Sequence, residues 1–168
     1  MKEYIHFILT GGTIDSYFDP AKDQVVIGKK TKIKEYITKL KLHDKIKFDV
    51  LFLKDSREVR YTDRKKILDS VKKSKSNKII ITHGTYTMPD TAQYLQDQLK
   101  NIKKTIILVG SMIPLTGFEF SDASFNLGYA VAKVSSLPFG VYICMNGKVF
   151  NPRKVDKNRI KGRFEENG

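Results

Sequence analysis

The sequence has a single cysteine and no long hydrophobic segment. Cys144 has no partner within the chain, which excludes an internal disulfide bond and makes a cytoplasmic location the default expectation. No apolar segment approaches the roughly 20 residues that a membrane-spanning helix needs. The apolar N-terminal segment is short and ends in a glycine turn, which favours a first strand over a signal peptide.

Acidic residues are also few. The 168 residues include 31 lysines and arginines against 18 aspartates and glutamates, which gives a formal net charge of +13. A basic balance can indicate a nucleic-acid partner. However, the basic residues are mostly lysines scattered along the chain, and no recognition-helix motif is present. A solvated lysine-rich surface is the preferred interpretation, with 153–163 as the best place for the nucleic-acid alternative.

Signatures of common cofactors are missing. The three histidines, His6, His43 and His83, are not at metal-ligand spacing, so no metal ion is expected. Gly11 and Gly12 lack the third glycine of a dinucleotide fingerprint, and the lysine-serine or lysine-threonine pair of a phosphate-binding loop is absent. We therefore expect neither a metal nor an organic cofactor.

Short apolar runs alternate with helical patterns. Continuous apolar strands are typical of a parallel sheet that is covered on both faces. The predicted strands are Tyr4–Leu9, Asp49–Leu53, Lys78–Ile81, Thr105–Val109 and Phe139–Met145. The predicted helices are Lys30–Leu42, Thr62–Ser74 with Thr62 as its N-cap, Asp90–Asn101 and Ser121–Val134. This order predicts an α/β, doubly wound, flavodoxin-like three-layer domain, with a mostly parallel sheet and helices on both faces.

Small and hydroxyl-bearing residues follow four of the predicted strands. They are Thr10–Thr13, Lys54–Ser56, Thr82–Thr85 and Gly110–Met112. Ligands of doubly wound sheets bind beyond the carboxyl ends of the strands, where the strand order reverses. The sequence therefore predicts a concave polar site built from hydroxyl groups and backbone N–H groups.

Thr13 and Thr85 are the candidate reactive groups of this site. A threonine hydroxyl becomes a useful nucleophile only when a base removes its proton and donors stabilise the oxyanion. Two threonines on adjacent strand ends, together with a lysine that tunes them, would suit acyl transfer on an amide. Taken alone, Gly11-Gly12-Thr13 is better explained as a β-turn with a capping hydroxyl.

Several motifs, in order, resemble those of bacterial-type L-asparaginases. The first two are Thr10-Gly11-Gly12-Thr13-Ile14 and Thr82-His83-Gly84-Thr85-Tyr86-Thr87-Met88. Three further segments are similar to the family in the same order: Val109–Leu115, Ser121–Leu127 and Met145–Lys157. The resemblance covers nearly the whole chain.

The resemblance implies a catalytic group made of two threonines and a lysine. Thr13 would be the nucleophile, Thr85 the second threonine, and Lys157 the residue that polarises Thr85. A solvated lysine is the alternative for Lys157. His83 is the histidine of the second motif, and we expect a structural hydrogen-bonding role for it.

The resemblance also implies a substrate pocket. Ser56 matches the family serine that binds the substrate's α-carboxylate, and Asp55 is assigned to the same pocket. Backbone N–H groups near Gly84 and Ser111 would assist binding or stabilise the oxyanion.

Two positions depart from the family pattern. Tyr86 stands where the family has the aspartate that contacts the substrate's α-ammonium group, and tyrosine carries no negative charge near neutral pH. The family's mobile loop carries a tyrosine that orients the nucleophile. In the corresponding segment, 15–28, Val25 occupies the gap-free position and Tyr17 is the candidate substitute, in a loop that we expect to act as a lid.

The resemblance further implies a single domain over residues 1–168, like the N-terminal domain of the family and without its usual C-terminal domain. We expect a homo-oligomer, either a dimer or a tetramer. The preferred hypothesis is an enzyme that hydrolyses L-asparagine, L-glutamine or a related amide. The alternative, favoured by Tyr86, is a ligand-binding or regulatory module with little catalysis, and nucleic-acid binding is the third hypothesis.

Overall fold

The computed structural model of the chain describes residues 4–167 and confirms the predicted α/β class. Residues 1–3 and 168, at the two ends of the predicted single domain, lie outside the described part. The extent of that domain therefore stays a prediction.

Ten strands and four helices follow one another along the described residues. The strands are β1 (Ile5–Gly11), β2 (Ser16–Asp19), β3 (Gln24–Ile27), β4 (Ile46–Lys54), β5 (Lys78–Thr82), β6 (Thr105–Val109), β7 (Gly140–Met145), β8 (Lys148–Phe150), β9 (Val155–Asn158) and β10 (Arg163–Glu166). The helices are α1 (Ile33–Lys39), α2 (Tyr61–Lys73), α3 (Met88–Gln98) and α4 (Ala123–Val134). Short 3-10 turns at Thr13–Asp15 and Ser56–Glu58 follow β1 and β4.

The central sheet has six strands in the order β4-β1-β5-β6-β7-β8. The first five strands are parallel, and only β8 runs antiparallel to its neighbour β7. Strands β1 and β6 are buried along their whole length, which explains their continuous apolar sequences. Strand β4 lies at an edge and is only partly buried. Two separate hairpins, β2-β3 and β9-β10, flank this sheet.

Helices cover both faces of the sheet, as predicted. Ile5, Phe7 and Leu9 pack with the apolar sides of α1 and α4, whereas Ile8 packs with those of α2 and α3. This division follows from the alternation of side chains along a strand. The sheet is therefore the middle layer between two hydrophobic cores.

The predicted elements differ from the structure mainly at their ends. Helix α2 begins at Tyr61, so the prediction of Thr62 as its N-cap is wrong. Asp63 instead accepts a 3.1 Å hydrogen bond from the backbone N–H of the N-cap residue, Arg60, and two 2.9 Å bonds from Lys54 Nζ. A carboxylate that satisfies both groups caps the helix at Arg60, two residues before the predicted N-cap.

Segment 15–28, predicted as a polar loop, contains the regular hairpin β2-β3. Tyr17 pairs with Val26 and Phe18 with Val25 across its two strands. The residues Asp19-Pro20 and Lys22-Asp23 suggested a loop, and the strands on either side are too short, at four residues each, to give a clear alternating pattern.

Within residues 4–167, no helix has both the length and the apolar character that crossing a membrane requires.

Candidate active site

The strand order reverses at β1, which lies between β4 and β5. Connections leave these neighbouring strands on opposite faces of the sheet and open a crevice at their carboxyl ends. The segments that follow β1, β4 and β5 are those in which the sequence predicted the site. The fold therefore brings Thr13, Ser56 and Thr85 to one edge of the sheet.

Two glycines let the ends of the strands approach closely. Gly12 has φ of +91° and ψ of −178°, a conformation that is essentially confined to glycine. A Cβ atom at Gly12 would lie 2.4 Å from Cα of Gly84, and one at Gly84 would lie 2.7 Å from Cβ of Ser56. Backbone contact at Gly12 and Gly84 therefore sets the distance between the two residues that follow them, Thr13 and Thr85.

The two threonines have different surroundings. Thr13 is half-buried and begins the 3-10 turn after β1. Thr85 is 2% exposed, and its Oγ1 accepts a 2.7 Å hydrogen bond from Nζ of Lys157. Strand β9, which carries Lys157, thus reaches the site from a part of the chain 72 residues away.

Burial lowers the pKa of Lys157 below its usual value, and the positive charges of Arg159 and Arg57 lower it further. Asp55 acts weakly in the opposite direction. Both main causes favour the neutral amine over the ammonium form. Lys157 therefore has the surroundings of a lysine that can exchange a proton with the Thr85 hydroxyl.

Ser56 lies beneath the segment that follows β5. Its side chain is 1% exposed, and its Oγ accepts hydrogen bonds from the backbone N–H groups of Tyr86 at 3.1 Å and Thr87 at 3.3 Å. Its carbonyl oxygen accepts a 2.7 Å bond from the Thr87 hydroxyl. Ser56 thus fixes this segment and keeps its own hydroxyl proton available as a donor.

Asp55 forms an ion pair with Arg57. Its carboxylate accepts hydrogen bonds from Nε of Arg57 at 3.0 Å and from Nη2 at 2.7 Å. It also accepts one from the backbone N–H of Arg57 at 2.8 Å. The guanidinium holds the pKa of Asp55 below its usual range. The negative charge of Asp55 is therefore already paired with the guanidinium of Arg57.

Ser111 and Asp122 order the segment after β6. The buried Ser111 hydroxyl donates to the carbonyl of Ile113 at 2.5 Å. Asp122 accepts the backbone N–H groups of Met112 at 2.9 Å and Ile113 at 3.0 Å. The Ser111 side chain is thus engaged within its own loop. Sequence reasoning gave Asp122 no role, although it lies in one of the family-like segments.

His83 is fully buried and bridges two parts of the site. Its Nδ1 lies 2.8 Å from the carbonyl oxygen of Gly84, and its Nε2 lies 3.0 Å from Oγ1 of Thr91. A carbonyl only accepts, so Nδ1 carries the proton and Nε2 accepts from the Thr91 hydroxyl. Burial lowers the pKa of His83 to about 4. These contacts agree with a structural role for the neutral ring.

We expect His83 to make stability depend on pH. The lowered pKa means that the unfolded chain binds a proton between pH 6.5 and 4 while the folded chain does not. The contribution of neutral His83 to the free energy of unfolding should therefore be complete above pH 6.5. It should decrease by about 3 kcal/mol as the pH falls to 4. Urea unfolding of the native chain and His83→Gln at several pH values measures this.

The difference between the native chain and His83→Gln should shrink as the pH falls through this window. His43→Gln, at an exposed histidine, serves as the control and should leave the pH dependence unchanged. A constant difference between the native chain and His83→Gln from pH 7.5 to 4 would refute this account.

The ring of Tyr86 lies among three cations. Its centroid is 4.1 Å from Nζ of Lys157, 4.8 Å from Cζ of Arg57 and 5.0 Å from Cζ of Arg159. Sequence reasoning gave no role to the two arginines. Their positions, one residue after Ser56 and two after Lys157, were the signal that could have identified them.

Tyr17 lies on β2, and its side chain is 42% exposed. The structure thus places it on the hairpin next to the Thr13–Asp15 turn, on the same short segment as the candidate nucleophile. Its role as the orienting tyrosine stays a prediction.

The described residues contain no group of three or more histidine, cysteine, aspartate or glutamate side chains that could hold a metal ion. Cys144 is buried, and burial raises the pKa of its thiol to about 12. That thiol is therefore unreactive and lies in the core below the site.

A doubly wound sheet whose switch point carries two threonines and a hydrogen-bonded lysine is an arrangement suited to amide hydrolysis. A model of the N-terminal asparaginase domain matches residues 4–163, and the chain belongs to the asparaginase family.

Three relatives illustrate this membership. A glutaminase-asparaginase from Acinetobacter glutaminasificans is 42% identical over 96 residues, which cover 55% of this chain and 28% of that protein. A glutamyl-tRNA(Gln) amidotransferase subunit from Saccharolobus islandicus is 32% identical over 143 residues, covering 83% of this chain and 32% of that protein. The L-asparaginase from Thermococcus kodakarensis superposes with a TM-score of 0.81 at 25% identity, covering 97% of this chain and 51% of its own.

The chain thus spans about half of the length of the solved relative and about a third of the length of the other two.

Proposed function

We propose that the chain is an asparaginase-like amidohydrolase that converts L-asparagine, L-glutamine or a related amide into the acid and ammonia. The observation that carries the proposal is the 2.7 Å hydrogen bond from Lys157 to Thr85, beside the contact between Gly12 and Gly84. This contact puts the backbone of Thr13 next to the lysine-threonine pair.

In the proposed reaction, Oγ1 of Thr13 attacks the carbon of the substrate carboxamide. The proton of Thr13 passes towards the Thr85–Lys157 pair, and backbone N–H groups near Gly84 and Ser111 stabilise the oxyanion. The C–N bond then breaks, and the nitrogen leaves as ammonia after it receives a proton. Water attacks the resulting ester on Thr13, which releases the carboxylic acid and restores the threonine hydroxyl.

Substrate binding would use the groups around this centre. The hydroxyl proton of Ser56 is available to a substrate carboxylate, with Asp55 beside it. Tyr17 would approach Thr13 from the hairpin and orient the nucleophile. These assignments rest on the family resemblance and on the positions of the residues at one edge of the sheet.

The test is the release of ammonia from asparagine and glutamine by the purified chain. Hydroxylamine should divert part of the acyl-enzyme to the substrate's hydroxamate, because it competes with water for the ester. Turnover without hydroxamate would argue against an acyl-enzyme, and release at the rate of a Thr13→Ala blank would reject the proposed function.

The second candidate is a ligand-binding module with little catalysis. The observation that favours it is the position of Tyr86 among Lys157, Arg57 and Arg159. Calorimetry that detects binding of amino acids or dicarboxylates, without any ammonia release, would support this alternative over the enzyme.

Lys157→Met is expected to lower kcat by about a hundredfold or more, because a positioned proton-transfer group contributes roughly that factor. Because the pKa of Lys157 is lowered from its usual value of 10.5, its amine loses a proton and becomes neutral below pH 10.5. The kcat of the native chain should therefore rise with pH and level off below pH 10.5, and the variant should lose this rise.

Steady-state kinetics across the pH range measures both effects of Lys157→Met. Lys154→Met is the matched control, because Lys154 is exposed and lies just before the same strand. If both variants keep the native pH profile, Lys157 has no part in proton transfer.

Four sequence predictions stay part of this proposal: a small-molecule amide as the partner, a homo-oligomeric dimer or tetramer, a cytoplasmic location, and a reaction that needs no cofactor. Phe120 and Ile160 are 89% and 99% exposed, and apolar side chains of this exposure would suit an interface between copies of the chain. Nucleic acid is the least favoured partner.

A further inference from the structure

The space beside Thr85 and Lys157 is bordered by a cluster of positive charges around Tyr86. The cations come from two separate segments: Arg57 follows β4, whereas Lys157 lies on β9 and Arg159 comes directly after it. All three lie within 5.0 Å of the centroid of the Tyr86 ring, which is 42% exposed. The faces of the ring therefore already hold cations of the chain itself.

A cavity of about 320 Å³ opens next to this cluster. Tyr86, Lys157 and Arg159 line it, together with Pro89, Asp90 and Asp156. Lys157 both lines this cavity and donates to Thr85, so the cavity adjoins the proposed catalytic group. Tyr86, Lys157 and Arg159 form the wall of the cavity on this side. A substrate whose amide reaches the threonines would place its other end against this wall.

The charges of this wall do not favour an ammonium group. Asp55 is engaged by Arg57 at 2.7 Å, and Asp90 lies 3.8 Å from Arg64. Asp156 lines the same cavity as Lys157 and Arg159.

Burial is the main cause of the lowered pKa of Lys157, and among the neighbouring charges Arg159 and Arg57 lower this pKa by more than Asp55 raises it. An ammonium group placed here would add a like charge, whereas a carboxylate would add an opposite one.

Within the proposed hydrolase function, we propose that the wall formed by Tyr86, Lys157 and Arg159 binds the substrate carboxylate together with the hydroxyl of Ser56, whose Oγ lies 3.1 Å from the backbone N of Tyr86. The substrate class is then an ω-amide of a carboxylic acid that carries no α-ammonium group. Succinamate is the simplest probe of this class: its amide C–N bond breaks, water supplies the hydroxyl group of the new acid, and the products are succinate and ammonia.

The first experiment compares substrates of the purified chain. We expect kcat/KM for succinamate to exceed that for asparagine by at least about tenfold, because a tenfold ratio needs only a modest difference in interaction free energy between the two substrates. Tyr86→Asp should shift the ratio towards asparagine by a further tenfold or more, and Tyr86→Phe should leave the ratio unchanged. Tyr61→Asp, at an exposed tyrosine on α2, is the control that should not shift it.

The second experiment measures binding and needs no turnover. Calorimetry with the two product acids should give a Kd for succinate at least about tenfold lower than for aspartate. Arg159→Gln should weaken the binding of succinate about tenfold. Arg163→Gln is the matched control, because its guanidinium is paired with Glu165 at 2.7 Å and it should leave Kd unchanged.

The outcomes separate this inference from the proposed function. Turnover of asparagine, with aspartate bound more tightly than succinate, would overturn the inference and leave the hydrolase in place. Tight binding of succinate without turnover of any amide would support the carboxylate-binding wall and refute the hydrolase. Equal affinity for succinate and aspartate in both the native chain and Tyr86→Asp would also overturn the inference.

Discussion

Thr13→Ala is expected to lower kcat for amide hydrolysis at least about a thousandfold, because the variant removes the hydroxyl that forms the proposed acyl-enzyme. Thr13 lies half-buried at the start of a 3-10 turn, and alanine fits this conformation. Substrate affinity should therefore change much less than kcat. Single-turnover kinetics together with calorimetry of the product acid separates the two effects.

Thr13→Ser is the matched control for this experiment. It keeps the hydroxyl and removes one methyl group, so its kcat should stay within about tenfold of the native value. A circular dichroism spectrum and a melting temperature close to the native ones would show that both variants fold. Native-like turnover in Thr13→Ala would transfer the nucleophile to another residue, with Thr85 as the first candidate.

Gly12→Ala is expected to lower the free energy of unfolding by about 4 kcal/mol, as the sum of two costs. The first is the backbone conformation, with φ of +91° and ψ of −178°, which residues other than glycine rarely adopt. The second is a Cβ atom 2.4 Å from both N and Cα of Gly84, a clash that no side-chain rotation relieves. Urea unfolding measures the loss.

Gly117→Ala separates the two costs. Gly117 has φ of +81°, but a Cβ atom there meets nothing within 4 Å. Its cost should be only about 1–2 kcal/mol, which is the backbone penalty alone. If Gly12→Ala loses no more stability than Gly117→Ala, the contact between the ends of β1 and β5 is not the constraint that we describe.

The same substitution also tests how the site depends on the fold. Because Gly12 and Gly84 come directly before Thr13 and Thr85, separating their backbones should separate the two threonines. We expect any Gly12→Ala protein that folds to lose most of its hydrolytic activity. The stability cost and the activity loss thus have one structural cause.

The central sheet was predictable because its strands carry a local pattern. Strands β1, β5 and β6 lie buried between two layers of helices, so their sequences are continuously apolar. The hairpins β2-β3 and β9-β10 were not predicted, since each of their strands has four residues and exposed positions. Short, partly exposed strands give little periodic signal, and their pairing depends on the partner strand.

The candidate site was predictable where its position depends only on the parallel direction of the strands. Parallel strands end at one edge, so the motifs containing Thr13 and Thr85 had to lie near each other once β1 and β5 were neighbours. Ser56 was predicted at the same edge from the end of β4. Its burial under the backbone N–H groups of Tyr86 and Thr87 was not, because this contact joins segments 30 residues apart.

The sequence by itself determined the class of the fold, the order of the family motifs and the strand ends on which the two threonines lie. Local periodicity and residue type are sufficient for these, because each depends on neighbours along the chain. The family resemblance implied that Lys157 polarises Thr85, but only the tertiary structure gave the 2.7 Å contact between them and gathered Arg57, Lys157 and Arg159 around Tyr86. Contacts of this kind depend on how β9 returns across the ends of the sheet, a path that hydrogen bonds between distant segments fix and that no local pattern encodes.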